Sequence, residues 1–204
     1  MNLTIEPGTI ENRRIAAKRG CPTIAIDLGI SAANETSGVA WSGYIPAEKS
    51  RHRQTIGEAL QFMRGIVQKF PETVLILESP LSYRLDATGG PVDRKPLEDD
   101  PHRPWHYQPA IGLALTAILF LRELIKRAGS TPSKLIVFEG FVSGTFNGRT
   151  HVRDAKNLLT HFERGHVLTP PGQETHSFLR LVSGEIRDTP AAVLKIVEKD
   201  YEKN

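Results

Sequence analysis

Asp27 closes the run TIAID, Glu78 closes TVLILE and Glu139 follows LIVF. A carboxylate directly after buried-type residues is costly to desolvate unless it is paired or used. If folding brings two or three such groups within a few ångströms, each disfavours its neighbour's ionised form until a cation neutralises them. Mg²⁺ is the natural counter-ion: hard, oxygen-ligated, and held by one or two carboxylates plus water and substrate phosphate. A pair of such ions can activate water and stabilise the leaving oxygen of a phosphodiester. Asp27 and Glu78 are therefore the expected metal platform. Taken singly, each acid fits a cap or a solvated loop residue; their shared placement is what points to a site.

A third acid is expected from a helix. Asp154, in RTHVRDAKNLL, sits where an amphipathic stretch begins, and the dipole of a helix favours a negative charge in its first turn. That preference suits a surface residue as well. Asp188, in GEIRDTPAAV, is the rival, although Asp-Thr-Pro ahead of a helix-like run has the grammar of an N-cap. His151 lies just before Asp154 and can act as a metal ligand, as a general base near neutral pH, or as a helix-start residue facing water.

The elements that must position these residues follow from apolar patterning. Thr23 to Leu28 reads as a strand covered on both faces, and Ser37 to Tyr44 as a second strand close enough to pair antiparallel with it. A further short strand is expected near residues 48–55. Ile56, Leu60, Met63, Ile66 and Val67 form a helical stripe that stops before Pro71. Thr73 to Leu77 is the most strand-like stretch in the chain and implies a strand–helix–strand unit. A long helix is expected over Ala110 to Ala128, a strand over Lys134 to Phe138, and a helix from about His151 to Glu163. Residues 165–178 read as loop, and Pro190 to Lys199 as a final helix. Alternating strands and helices predict an α/β fold, in which sites gather at the carboxyl ends of parallel strands.

The 204 residues suit one domain, with 1–21 polar and peripheral and 84–108 a long loop or lid rich in Gly, Pro and charge. Hydrophobic and charged fractions of 39% and 24% exclude disordered and fibrous classes. The mild basicity, net +3 with pI about 9.1, permits nucleic-acid contact without demanding it. The lone Cys21 excludes an internal disulfide and predicts a reducing, cytoplasmic home. No run approaches the roughly 20 apolar residues of a membrane span, so no membrane partner is expected. In the loop, Arg84, Arg94, Lys95, His102, Arg103, Trp105, His106 and Tyr107 could meet a nucleic-acid backbone and its bases, against a solvated loop anchored by its aromatics. Zinc finds no recognised ligand spacing there.

IAIDLG followed by SGVAW, LESPLS, PWHYQPAIGLAL, LIVFEGF and HVRDA together resemble the RNase H-like superfamily, within it the RuvC-type branch that includes predicted nucleases of unknown function. The resemblance covers roughly residues 23 to 160. It implies a mixed central sheet, an antiparallel hairpin plus parallel strands, with helices on both faces. It further implies that Asp27, Glu78 and Asp154 bind Mg²⁺ or Mn²⁺ and that the protein cuts DNA or RNA. Glu139 matches an acid common in the predicted-nuclease group and is expected to support the metal or orient water, a task His151 could share. The loop from Gly29 to Thr36 is longer than a tight hairpin, and HVRDA carries one His and one Asp where the family's last helix often has two acids. A homodimer is compatible with this reading.

Two other readings remain open. Actin- and sugar-kinase-type nucleotide-binding proteins share this core, and Asp27-Leu28-Gly29 matches their first phosphate loop; those proteins need two lobes, and 204 residues supply one. A catalytically silent RNase H-like module acting as a binding partner is the third.

Overall fold

Apolar strand runs alternating with amphipathic helices produce a sheet covered on two sides. The structure, a computed structural model, describes residues 3–28, 37–42, 53–94, 105–106, 108–130, 132–142, 150–169, 175–182 and 188–196. The expected loop Gly29 to Thr36, the turn beyond Val142 and most of 95–107 lie outside the described residues.

The elements are β1 (Leu3–Pro7), α1 (Ile10–Arg19), β2 (Thr23–Asp27), β3 (Ser37–Ser42), β4 (Arg53–Gln54), α2 (Ile56–Lys69), β5 (Glu72–Glu78) and β6 (Ser82–Arg84), followed by α3 (Gln108–Arg127), β7 (Ser133–Val142), α4 (His151–Arg164), β8 (Thr175–Ser177), a 3₁₀ turn (Phe178–Leu181) and β9 (Val193–Ile196). The main sheet runs β1-β7-β5-β2-β3-β4, with β9 also on β7. Strands β1, β7, β5 and β2 run parallel to one another, and β3 is antiparallel to β2. This is the expected α/β fold with a mixed sheet.

Strand side chains alternate between faces. Ile24, Ile26, Leu75, Leu77, Leu135 and Val137 face α2 and α3 in one core. Ala25, Val74, Ile76, Ile136 and Phe138 face α1 and α4 in the other. Each fully buried Ile, Leu or Val contributes about 1.5–3 kcal/mol against exposure. Helix α2 starts at a capping box, in which the Thr55 hydroxyl accepts from Glu58 N–H and the Glu58 carboxylate accepts from Thr55 N–H. No described helix, α3 included, is long and apolar enough to cross a membrane.

Two expectations are corrected along the edge of β7. The polar N-terminal segment is not peripheral: Leu3 and Ile5 are buried in β1, parallel to the first half of β7. The final helix is instead β9, parallel to the second half of β7, from Glu139↔Val193 to Val142↔Ile196. Ala192 N–H donates to Gly8 O at 2.8 Å, joining β1 and β9 end to end beside the longer strand. A short apolar run such as AAVLKI suits helix or strand equally, and the unpaired half of β7 decides. Within the expected loop 165–178, Thr175–Ser177 forms β8, which pairs with β6 off the main sheet.

Candidate metal centre

One row of residues crosses four strands: Gly38 of β3 opposite Asp27 of β2, Asp27 opposite Glu78 of β5, and Glu78 opposite Gly140 of β7. Residues in register point to the same face, so the Asp27 and Glu78 carboxylates stand side by side on neighbouring strands about 4.8 Å apart. Both are last residues of parallel strands, where the ladder ends.

Helix α4 lies over this row. Thr150 caps it, its hydroxyl accepting from Arg153 N–H at 3.3 Å, and Gly165 closes it in the left-handed conformation. Asp154, Ala155, Leu158 and Phe162 fall on its buried face at helical spacing. The glycines flanking the acids let it sit this close. A Cβ on Gly38 would stand 2.0 Å from His151 O and 2.4 Å from Val152 N, and one on Gly140 would meet Leu158 at 2.8 Å. The first turn of α4 thus rests on bare backbone next to Asp27, and Asp154 comes down beside the two strand acids.

Asp27, Glu78 and Asp154 each offer a carboxylate oxygen, and these atoms lie within 4.8 Å of one another. Asp27 and Asp154 are only 4% and 2% exposed; Glu78 is half-buried. Two ionised carboxylates at 4.8 Å repel by about 3–4 kcal/mol at an effective dielectric near 20. His151 Nδ1 lies 2.7 Å from Asp27 Oδ2. An ionised carboxylate can only accept, so Nδ1 is the donor of this bond, and in a neutral imidazole so bonded the lone pair lies on Nε2. The positive end of α4 supplies a further partial charge.

The donor set fits a hard divalent cation. All three groups are oxygen ligands on separate, well-packed elements, and opposed ligand oxygens around octahedral Mg²⁺ are about 4.2 Å apart. The three acids are therefore within side-chain adjustment of sharing an ion. No family model, curated protein or solved structure matches this chain. What the site can do rests on its own geometry.

Of the residues singled out in the sequence, Asp27, Glu78, Asp154 and His151 converge here. Glu139 does not. It pairs in register with Leu77, one place before the acid row, so its side chain turns to the opposite face of the sheet. There it is fully buried; Arg94 Nη1 meets Oε1 at 2.6 Å, while Leu81 N–H and Ser82 Oγ donate to Oε2 at 3.0 and 3.1 Å. Burial pushes the Glu139 pKa up, and Arg94, Leu81 N–H and Ser82 pull it back. The expected role as a supporting metal ligand is excluded by that orientation.

Asp188 is likewise elsewhere. Its carboxylate accepts from Ser177 N–H at 2.7 Å and from His176 Nδ1 at 2.9 Å, bracing β8 rather than capping a helix. Bonds from Ser177 and His176 hold its pKa below the usual carboxylate value. In the expected lid, Asp86 closes a turn by accepting from Thr88 and Gly90 N–H, Arg94 is buried, and Trp105 Nε1 donates to Val92 O at 2.8 Å. Those described parts are anchored to the protein; Lys95, His102, Arg103 and Tyr107 lie outside the described residues.

Sequence reasoning missed Gly38 and Gly140 and misplaced Arg94, offered to a nucleic-acid backbone but fully buried against Glu139. The two glycines had a signal: a lone Gly inside a strand-like run, as in SGVAW and FEGF, marks a close backbone approach. Arg94 had none, since nothing local distinguishes it from the other cations of its segment.

Proposed function

We propose that this protein is a metal-dependent phosphodiester hydrolase of RNase H-like architecture acting on DNA or RNA. In this reading Asp27, Glu78 and Asp154 hold Mg²⁺ or Mn²⁺. The observation that carries it is the convergence of these three acids, from two parallel strand ends and a helix, to within 4.8 Å. The sheet order, with an antiparallel hairpin leading into parallel strands, also fits the RNase H-like resemblance.

When bound, such ions activate water and neutralise charge on the phosphate oxygens. The chain's own residues have distinct tasks. Asp27 and Glu78 provide a fixed pair of acceptors at the rim of the sheet, and Asp154 closes the group from above. His151 steadies Asp27 through Nδ1, and its Nε2 is the chain's acceptor for a proton from the attacking water. The nucleotide-binding reading on Asp27-Leu28-Gly29 is less well supported, because three acids around one point suit a cation rather than a bare phosphate cradle.

The test is cleavage of labelled single- and double-stranded DNA and RNA in Mn²⁺, with Asp27→Asn as the variant. Wild-type protein should cut at least one substrate, and the variant should lose cleavage while melting near the wild-type temperature. Equal activity in the variant removes Asp27 from the mechanism. Mn²⁺ binding without cleavage favours a silent module, and ATP binding by calorimetry without cleavage favours the nucleotide-binding reading.

A further inference from the structure

Ser79, Pro80 and Leu81 join Glu78, the last residue of β5, to β6. Ser79 N–H turns back to Leu77 O at 2.9 Å. Leu81, fully buried, is held at both ends: its N–H donates to Glu139 Oε2 at 3.0 Å and its C=O accepts from Phe178 N–H at 2.8 Å. Ser82 Oγ donates to the same carboxylate oxygen and accepts from Arg94 Nη1 at 2.8 Å. The Arg94–Glu139 pair is wholly shielded from water on both sides. All of this lies on the face of the sheet opposite the acid cluster.

A buried ion pair is poor value as a source of stability, because desolvating both charges cancels most of their attraction, and an apolar pair of similar size often does as well. An apolar pair cannot accept a hydrogen bond. What Glu139 provides that Leu or Met could not is an acceptor for the Leu81 N–H and the Ser82 hydroxyl. The backbone it grips is only three residues beyond Glu78, at most about 11 Å of chain. We propose that Glu139 is a positioning residue of the metal centre: by fixing Leu81 and Ser82 it holds the turn after Glu78, and so keeps that carboxylate beside Asp27 and Asp154. Arg94 is the counter-charge that makes a buried acceptor tolerable. The assignment rests on the metal reading of the acid cluster.

The test separates position from stability. Mn²⁺ affinity is measured by calorimetry on the full chain, and melting temperature in EDTA, for three proteins: wild type, Glu139→Gln, and the double variant Glu139→Leu/Arg94→Met. The double variant removes both charges, so although Leu81 N–H and Ser82 Oγ lose their acceptor it should melt no lower than Glu139→Gln, which leaves the Arg94 charge buried without its partner. The double variant should nonetheless bind Mn²⁺ about 10- to 100-fold more weakly, the usual effect of losing a residue that orients a metal ligand. Glu139→Gln breaks the charge pair and should melt lower, yet its amide oxygen still accepts from Leu81, so its affinity should stay within about threefold of wild type. Affinity that follows melting temperature across the set, or wild-type affinity in the double variant, overturns the proposal. Should the double variant not fold, Ser82→Ala leaves both charges in place and should weaken binding three- to tenfold; unchanged affinity there overturns it equally. Wild-type protein that binds no Mn²⁺ sinks the metal reading itself, a result distinct from binding that the variants leave untouched.

Discussion

Gly38→Ala puts the geometry of the site to its sharpest test, because the substitution adds one methyl group and changes no charge. The added Cβ would lie 2.0 Å from His151 O, 2.1 Å from His151 C and 2.4 Å from Val152 N. All three are backbone atoms of the first turn of α4, so no side-chain rotation relieves the clash. To restore the 3.0–3.4 Å of a tight carbon contact, that turn must retreat by about 1.0–1.4 Å. Asp154 rides on the same turn, while Asp27 and Glu78 stay with the sheet. Overpacking of this kind costs about 1–3 kcal/mol, which at about 2–4 °C per kcal/mol lowers the melting temperature by about 2–12 °C.

An ångström of displacement in a ligand carrier should weaken Mn²⁺ binding about 10- to 100-fold. Calorimetric titration with Mn²⁺ reads the affinity, and a thermal melt in EDTA reads the stability. Gly140→Ala is the control, since its Cβ meets mainly the flexible tip of Leu158 at 2.8 and 2.9 Å, a full turn beyond Asp154. It should lose stability with little change in affinity. Wild-type Mn²⁺ affinity in Gly38→Ala would refute the reasoning: either α4 does not rest on β3 at Gly38, or Asp154 is not part of the centre.

The opposite sign is expected at Gly65, inside α2, where a Cβ would meet nothing within 4 Å. Gly65→Ala should raise stability by about 0.5–1 kcal/mol in a denaturant melt; a loss would mean the helix is not regular there. Burial, then a hydrogen bond to Glu72, pushes the Cys21 thiol up to about 11. At pH 8 only about one thiol in a thousand is then ionised, so iodoacetamide should label native protein about a hundredfold more slowly than an ordinary thiol, and unfolding in urea should abolish the difference. Asp188, its pKa lowered by Ser177 N–H and His176, contributes stability above the unfolded carboxylate value of 3.8 that is lost as pH falls through its folded value. Exchange of the Ser177 amide should therefore quicken below about pH 3.8, after allowance for intrinsic rates. Asp188→Asn should remove that acid limb, and an unchanged limb would show that another group controls it.

Period and composition were enough to read β2, β3, β5, α2, α3 and α4 from the chain, because each buries a stripe or a face long enough to leave its spacing in the sequence. The same is true of Asp27, Glu78 and Asp154, which stand at ends of such elements. What stayed hidden depends on partners distant in sequence. Residues 1–21 look peripheral because only Leu3 and Ile5 of β1 face inward, and nothing local reveals the edge of β7 on which they lie. AAVLKI reads as helix until that strand's second half is known to lack a neighbour. Glu139 was misread for a subtler reason. Whether a strand residue faces front or back is a matter of parity relative to its neighbours, and a shift of one residue in register reverses it.

That parity also explains why β7 carries Glu139 and Gly140 in succession. Gly140 falls in the row of Asp27 and Glu78 and admits Leu158 of α4, whereas Glu139 falls behind it, against Arg94. Were the two exchanged, a third carboxylate would stand in the row and a fourth in the cluster, adding about 3–4 kcal/mol of repulsion for each ionised neighbour at comparable distance, and its bulk would occupy the place of Leu158. The turn after Glu78 would meanwhile lose its buried acceptor. One strand thus serves the centre from both sides of the sheet, in front by having no side chain and behind by having a charged one. Rigidity on the far face and clearance on the near face are separate requirements, and only substitutions that disturb one at a time, Glu139→Leu/Arg94→Met on one side and Gly38→Ala on the other, can tell them apart.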